Sequence, residues 1–181
     1  MHNATITDIL TVLQKGGIVI MPTDTVYGLH CDPHYLSAIE KIITLKQRDN
    51  TKGLILIADN LERFSEYIEP LPENIKEKIR KSPGITWLVP AQKNISKLIT
   101  GEFNTVAIRV CKNQMIAKLS ELLNSPLIST SANISHHPVA HNKNEMMQMF
   151  PEGIDLIIEG DVPKNAQASE IRDAFTNERL R

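Results

Sequence analysis

Apolar residues recur at Ile6, Ile9, Leu10 and Leu13, three or four positions apart, until Gly16-Gly17 interrupts the run. That spacing predicts an amphipathic helix over 5–15 with a glycine stop. Ile39, Ile42 and Ile43 repeat the helical spacing within AIEKIITLK. Pro72 opens a further helix over 71–81, because its fixed φ suits a first helical turn. Between these runs stand short, uninterrupted apolar blocks: IVIM (18–21), GLILIA (53–58), ITWLVPA (85–91), TVAIRV (105–110), PLIS (126–129) and DLIIEG (155–160). Each predicts a buried strand, the first of them halted by Pro22. Helices are expected near 113–124 and 142–149, and SEIRDAFTNERLR predicts a closing strand pair around a TNE turn. Helices alternating with apolar strands define an α/β protein with an open sheet covered by helices. No Pro/Gly/Ser-rich linker divides the chain, so residues 1–181 are expected to form one domain.

Composition narrows the function. Lys plus Arg number 20 against 21 Asp plus Glu, so an anion site must come from local clustering of cations. Aromatic residues make up only 4% of the chain, which disfavours a nucleic-acid reader built on base stacking. Cys31 and Cys111 lie far apart without CxxC spacing and are expected as buried thiols in a reducing compartment. The start MHNATITDIL lacks the basic and apolar blocks of a signal peptide, and no apolar stretch is long enough to span a bilayer. A cytoplasmic location without membrane association is expected.

Several common devices are missing. Neither GxxxxGK[ST] nor GxGxxG follows the first strand, and no GxSxG elbow presents a nucleophilic serine. Two histidine-rich trios, His30/Cys31/His34 and His136/His137/His141, are interrupted by Pro33 and Pro138, which spoils a shared ligand face. No metal site is expected.

The polar residues at strand ends are more informative. LKQRDNTKG (45–53) sets Lys46, Arg48 and Lys52 between a helix and a strand, with no structural partner visible in the sequence. They are either a solvated connector or an anion cradle, in which arginine grips phosphate by its fork and lysine acts as a point charge. Arg109 interrupts the apolar strand TVAIRV and must be paired or face a polar cavity. MPTDTVYGL (21–29) ends a strand in Thr23 and Thr25 ahead of Gly28, and PLISTSANIS (126–135) ends another in Ser129, Ser131 and Asn133. In open α/β sheets ligands bind beyond strand ends, so these groups point to a small polar, anionic ligand.

Taken together, GGIVIMPTDTVYGLHCDP, LKQRDNTKGLILIA, SPGITWLVPA, TVAIRV, PLISTSANIS and SEIRDAFTNERLR resemble the YrdC-type threonylcarbamoyl-adenylate synthase family, in its single-domain bacterial form. The resemblance runs from about residue 8 to the C-terminus. The KxR pattern at Lys46–Arg48 combined with the SxN pattern at Ser131–Asn133 is its most specific part. It implies a twisted, open mixed sheet flanked by helices, with a concave, positively charged face. It also implies a reaction: L-threonine, bicarbonate and ATP give threonylcarbamoyl-adenylate and pyrophosphate. ATP would bring Mg²⁺, and no prosthetic group is implied. Downstream threonylcarbamoyl-transfer proteins would then modify adenosine in tRNAs that read codons beginning with A.

By the same resemblance, Lys46 and Arg48 match the catalytic cations. Arg48, Lys52, Thr105, Ser131, Asn133 and Arg181 match ATP-binding positions, and Thr23, Arg109, Ser129 and Ser169 match threonine-binding positions. One departure stands out: SHHPV places His136 where many relatives carry glycine after the SxN motif. Two other readings remain open. The fold could serve as a non-catalytic module for tRNA or double-stranded RNA, although neutral charge and few aromatics count against that. It could also be a carbamoyl-adenylate-forming domain of the hydrogenase-maturation type, which belongs to much larger chains.

Overall fold

Thr5 starts the first helix by a reciprocal cap: its hydroxyl accepts from the Asp8 amide at 3.2 Å, and the Asp8 carboxylate accepts from the Thr5 amide at 2.7 Å. From there the computed structural model describes residues 4–162 and 168–181. Along the chain run α1 (Ile6–Leu13), β1 (Val19–Pro22), β2 (Tyr27–Cys31), α2 (Leu36–Leu45), β3 (Ile55–Ala58), α3 (Glu73–Lys81), β4 (Thr86–Pro90) and α4 (Lys97–Thr100). They are followed by β5 (Thr105–Val110), α5 (Gln114–Leu123), β6 (Leu127–Ser131), α6 (Lys143–Met149), β7 (Leu156–Ile157) and β8 (Ile171–Asp173). This is a mixed α/β architecture in two compact units. The first comprises the described residues of Met1–Asp49 and Ile128–Ala168, the second Asn50–Leu127 with Ser169–Arg181.

In the first unit the strand order is β7-β1-β2-β6. β1 runs parallel to β7 and antiparallel to β2, and β2 runs antiparallel to β6. Every residue of β1 and β2 is buried, which is why IVIM shows no polar alternation. Ile9 and Leu13 of α1, with Ala38, Ile39 and Ile42 of α2, supply the buried helical faces. Gly16 takes φ +73 beyond α1, as the glycine stop requires.

β2 is absent from the strands expected from the sequence, which ended MPTDTVYGL beyond the first strand without a second one. Gly28 weakens a strand signature, but here its missing side chain is a packing requirement. A Cβ at Gly28 would lie 2.6 Å from His30 Nε2, two residues along the same face of the strand. Burial on both faces, rather than propensity, makes this segment a strand.

In the second unit the order is β3-β5-β4-β8, with β3/β5 and β4/β8 parallel and β4/β5 antiparallel. One face carries Leu56, Ala58, Trp87, Val89, Val106 and Ile108, of which all are buried. The other face is half-exposed at Ile55, Leu88, Ala107 and Thr105, yet buries Thr86 and Arg109. Lys78 of α3 stacks over Trp87 at 5.6 Å and donates to the Ala174 carbonyl at 2.8 Å. Of the expected C-terminal strand pair only β8 forms as a strand; the chain returns along it through a single bridge, Arg172 with Arg179, where Leu180 N donates to Ile171 O at 2.8 Å and Asn177 turns the chain with φ +62.

Cys31 and Cys111 are buried thiols outside any disulfide. Burial, with Asp32 alongside, pushes the Cys31 thiol well above its ordinary value. Among the described residues no helix is long and apolar enough to cross a membrane.

Candidate functional site

In the first unit the KxR pattern turns out to be a helix terminator. Lys46 caps α2, Gln47 takes φ +47, and two bonds close the end: Gln47 N to Thr44 O at 2.9 Å and Arg48 N to Ile43 O at 3.0 Å. This is a Schellman closure with glutamine in the left-handed position that glycine usually occupies. The reversal buries Lys46, which is only 2% exposed, and leaves Arg48 half-buried.

A buried ammonium needs acceptors, and Lys46 Nζ has them. It donates to Ser131 O at 2.5 Å, to Asn133 O at 2.7 Å and to Asn133 Oδ1 at 3.1 Å. The Lys46 carbonyl in turn accepts from Ser135 N at 2.8 Å. Burial, reinforced by the Arg48 guanidinium, pushes the Lys46 pKa down to about 7.

The SxN loop is built around this contact. Ser131 Oγ donates to Asn133 Oδ1 at 2.6 Å, and Asn133 Nδ2 donates to His137 O at 2.7 Å. The polar residues crowded after PLIS therefore satisfy a buried lysine and one another. His136 takes a left-handed backbone with φ +68, the region glycine adopts most readily.

Two further expected residues lie in the same unit. The Thr23 hydroxyl donates to Val26 O at 2.7 Å and accepts from Thr25 N at 3.1 Å, closing the β1–β2 turn. Ser129 is paired with His30 across β6 and β2, and Ser131 with Gly28, so all four share one face of the ladder.

The second unit holds the remaining residues. Thr105 and Arg109 fall on one face of β5, and Arg109 is paired with Thr86 across β4. Thr86 Oγ1 lies 2.7 Å from Ser169 Oγ, and Arg181 donates through Nη2 to Ser169 O at 3.0 Å. Burial and the positive charge of Arg109 hold the Arg181 guanidinium below its ordinary pKa. Two neighbouring guanidiniums of like charge favour an anion bound beside them. Lys52 is exposed, and its backbone bridges to Gly101.

Lys46, Ser131 and Asn133 are thus brought into direct contact, as are Ser169 and Arg181, with Arg109 beside them. Thr86 escaped the sequence reading, which weighed His30 only as a metal ligand. A hydroxyl inside ITWLVPA was the available signal for Thr86, equivalent to the cation inside TVAIRV. Among the described residues no three His, Cys, Asp or Glu side chains are grouped to hold a metal ion. His34 instead contacts Asp32, Nδ1 to Oδ1, at 2.7 Å.

Comparison with known proteins gives the family. The family model Sua5/YciO/YrdC, described as telomere recombination, covers residues 11–181, and the chain belongs to that family. A protein of Photobacterium profundum named threonylcarbamoyl-AMP synthase is 38% identical over 177 residues, which is 96% of each chain. One of the same name from Histophilus somni (strain 129Pt) is 40% identical over 181 residues, covering 97% of this chain and 98% of that one. The solved structure of P. abyssi Sua5 complexed with L-threonine superposes with a TM-score of 0.84 at 28% identity. It is covered over 93% of this chain and 50% of that one, so this chain spans about half the length of that protein.

Proposed function

We propose that the chain is an L-threonylcarbamoyladenylate synthase, a nucleotidyltransferase that makes threonylcarbamoyl-AMP and pyrophosphate from L-threonine, bicarbonate and ATP. The observation that carries this reading is the near-full-length likeness to proteins named threonylcarbamoyl-AMP synthase. The threonine amine combines with bicarbonate to form a carbamate and water. A carbamate oxygen then attacks the α-phosphorus of ATP, the bond to the β-phosphate breaks, and pyrophosphate leaves. No protein nucleophile is needed, and catalysis rests on positioning and charge.

In this reading Arg48, Lys52, Thr105, Ser131, Asn133 and Arg181 bind ATP, and Thr23, Arg109, Ser129 and Ser169 bind threonine. Arg48 supplies charge to the phosphates. Lys46 serves chiefly through the loop it holds, since its ammonium already has three oxygen partners. Mg²⁺ accompanies the nucleotide phosphates; the described residues offer no three-ligand cage for it. The product would pass in the cytoplasm to threonylcarbamoyl-transfer proteins acting on tRNA, which the synthase itself could contact. The family match over 11–181 supports reading the two units as one functional domain.

The test is product analysis with purified protein, ATP, Mg²⁺, threonine and labelled bicarbonate. Label in an adenylate, with pyrophosphate release that needs both threonine and bicarbonate, is the expected result. Equal pyrophosphate release without either co-substrate would replace the synthase with a generic ATPase.

A further inference from the structure

Thr86 is fully buried in the middle of a sheet, where valine would fill the same space without a polar atom to satisfy. Its hydroxyl therefore has a specific use. Thr86 Oγ1 meets Ser169 Oγ at 2.7 Å, across 83 positions of sequence, and Thr86 N donates to Glu170 O at 2.9 Å. In the sheet register Thr86 lies between Arg109 of β5 and Ile171 of β8. Ser169 itself is buried, and its carbonyl is held by Arg181 Nε at 3.3 Å and Nη2 at 3.0 Å.

We propose that Thr86 is a positioning residue for amino-acid binding, setting where the Ser169 hydroxyl lies and which way its proton points, beside Arg109. A hydroxyl has one proton and two lone pairs. When a ligand carboxylate or hydroxyl takes the Ser169 proton, Ser169 is left as an acceptor, and Thr86 fills that need by donating. The aligned pair Thr86 to Ser169 to ligand is stronger than two isolated contacts. Thr86 touches no substrate and acts only through Ser169. This inference rests on the synthase reading, in which Ser169 and Arg109 face threonine.

The experiment measures pyrophosphate release by the full-length protein, varying threonine at saturating ATP and ATP at saturating threonine, with melting curves for each variant. Thr86→Val is expected to raise the threonine KM about three- to tenfold, the equivalent of one neutral hydrogen bond. The ATP KM should stay within about twofold, and Thr86→Ser, which restores the hydroxyl, should return the threonine KM to that of the unaltered protein. A folded Thr86→Val protein with an unchanged threonine KM, or with both KM values raised alike, overturns the inference. Failure of Thr86→Ser to rescue does the same. Should Thr86→Val not fold, Thr86→Ala takes its place in the same assay with the same deciding outcomes. Absence of threonine-dependent pyrophosphate release in the unaltered protein defeats the synthase reading and this inference together. A loss confined to the Thr86 comparison defeats the inference alone.

Discussion

Lys46 Nζ lies 2.7 Å from the carbonyl oxygen of Asn133 and 3.1 Å from its side-chain oxygen, so one lysine ties the end of α2 to the SxN loop. The two most specific sequence patterns are thereby one structural unit. Lys46→Met removes the ammonium while keeping most of the buried stem. It takes the ammonium donor from the Asn133 carbonyl, and from Ser131 O and Asn133 Oδ1, which keep Asn133 N and Ser131 Oγ, at a cost of about 1–3 kcal/mol. A melting curve should show the loss alongside the loss of activity. Unchanged melting would mean that the loop stands without the lysine.

The same contact has a pH signature. Lys46 titrates near 7 in the folded protein, below its ordinary value of 10.5. Between these values the unfolded chain binds the extra proton, so stability rises with pH, by at most about 1.4 kcal/mol per unit. Cys31 opposes this above about pH 8.5, because only the unfolded chain can then release the thiol proton. Unfolding free energies should therefore show the protein gaining on Lys46→Met between pH 7 and 8.5. A pH-independent difference would exclude titration of Lys46 in that window.

Gly28 and His30 should be energetically coupled. Gly28→Ala forces a Cβ to 2.6 Å from His30 Nε2, and overpacking of this kind costs about 1–3 kcal/mol. His30→Ala removes the ring, so the double variant should lose less than the two single losses added together. Additive losses in denaturant titrations would show that the ring moves aside freely.

Gln47 and His136 both hold left-handed backbone without being glycine. Glycine relieves about 1–2 kcal/mol of steric cost at such a position but adds unfolded-chain entropy of roughly 0.5–1 kcal/mol. Gln47→Gly and His136→Gly should each stabilise by up to about 1 kcal/mol in thermal or denaturant melts. A clear loss would show that the glutamine or histidine side chain itself holds the loop.

Why some of this could be read from the sequence and some could not follows from the forces involved. Helices such as α1 and strands such as β5 are set by local apolar spacing, and Thr105–Val110 was legible to the residue. The cations and hydroxyls at strand ends stood out because a polar group in apolar surroundings demands a partner. The identity of that partner is non-local. Nothing in LKQR reveals that Lys46 will find Ser131 and Asn133, some 85 positions away. β2 was hidden because Gly28 and His30 make sense only as a packed pair. Thr86 was hidden because threonine is an ordinary strand residue until its hydroxyl is seen to meet Ser169.

Arg109 offers the test of whether the second unit binds an anion. It is 4% exposed, and its charge adds to burial in lowering the pKa of Arg181, so the guanidinium has a repulsive neighbour. A purely structural ion pair would leave an orphaned partner on truncation and cost about 3–5 kcal/mol. A ligand-binding arginine beside a like charge behaves differently, because removing it also relieves repulsion in the free protein and its largest effect falls on the bound state. Arg109→Met should therefore lose less stability than that range while the threonine dependence of pyrophosphate release weakens by at least tenfold, roughly the loss of one charged hydrogen bond. ATP affinity, measured separately by calorimetry, should change far less. A collapsed melting temperature, or equal losses for both substrates, would return Arg109 to a structural role.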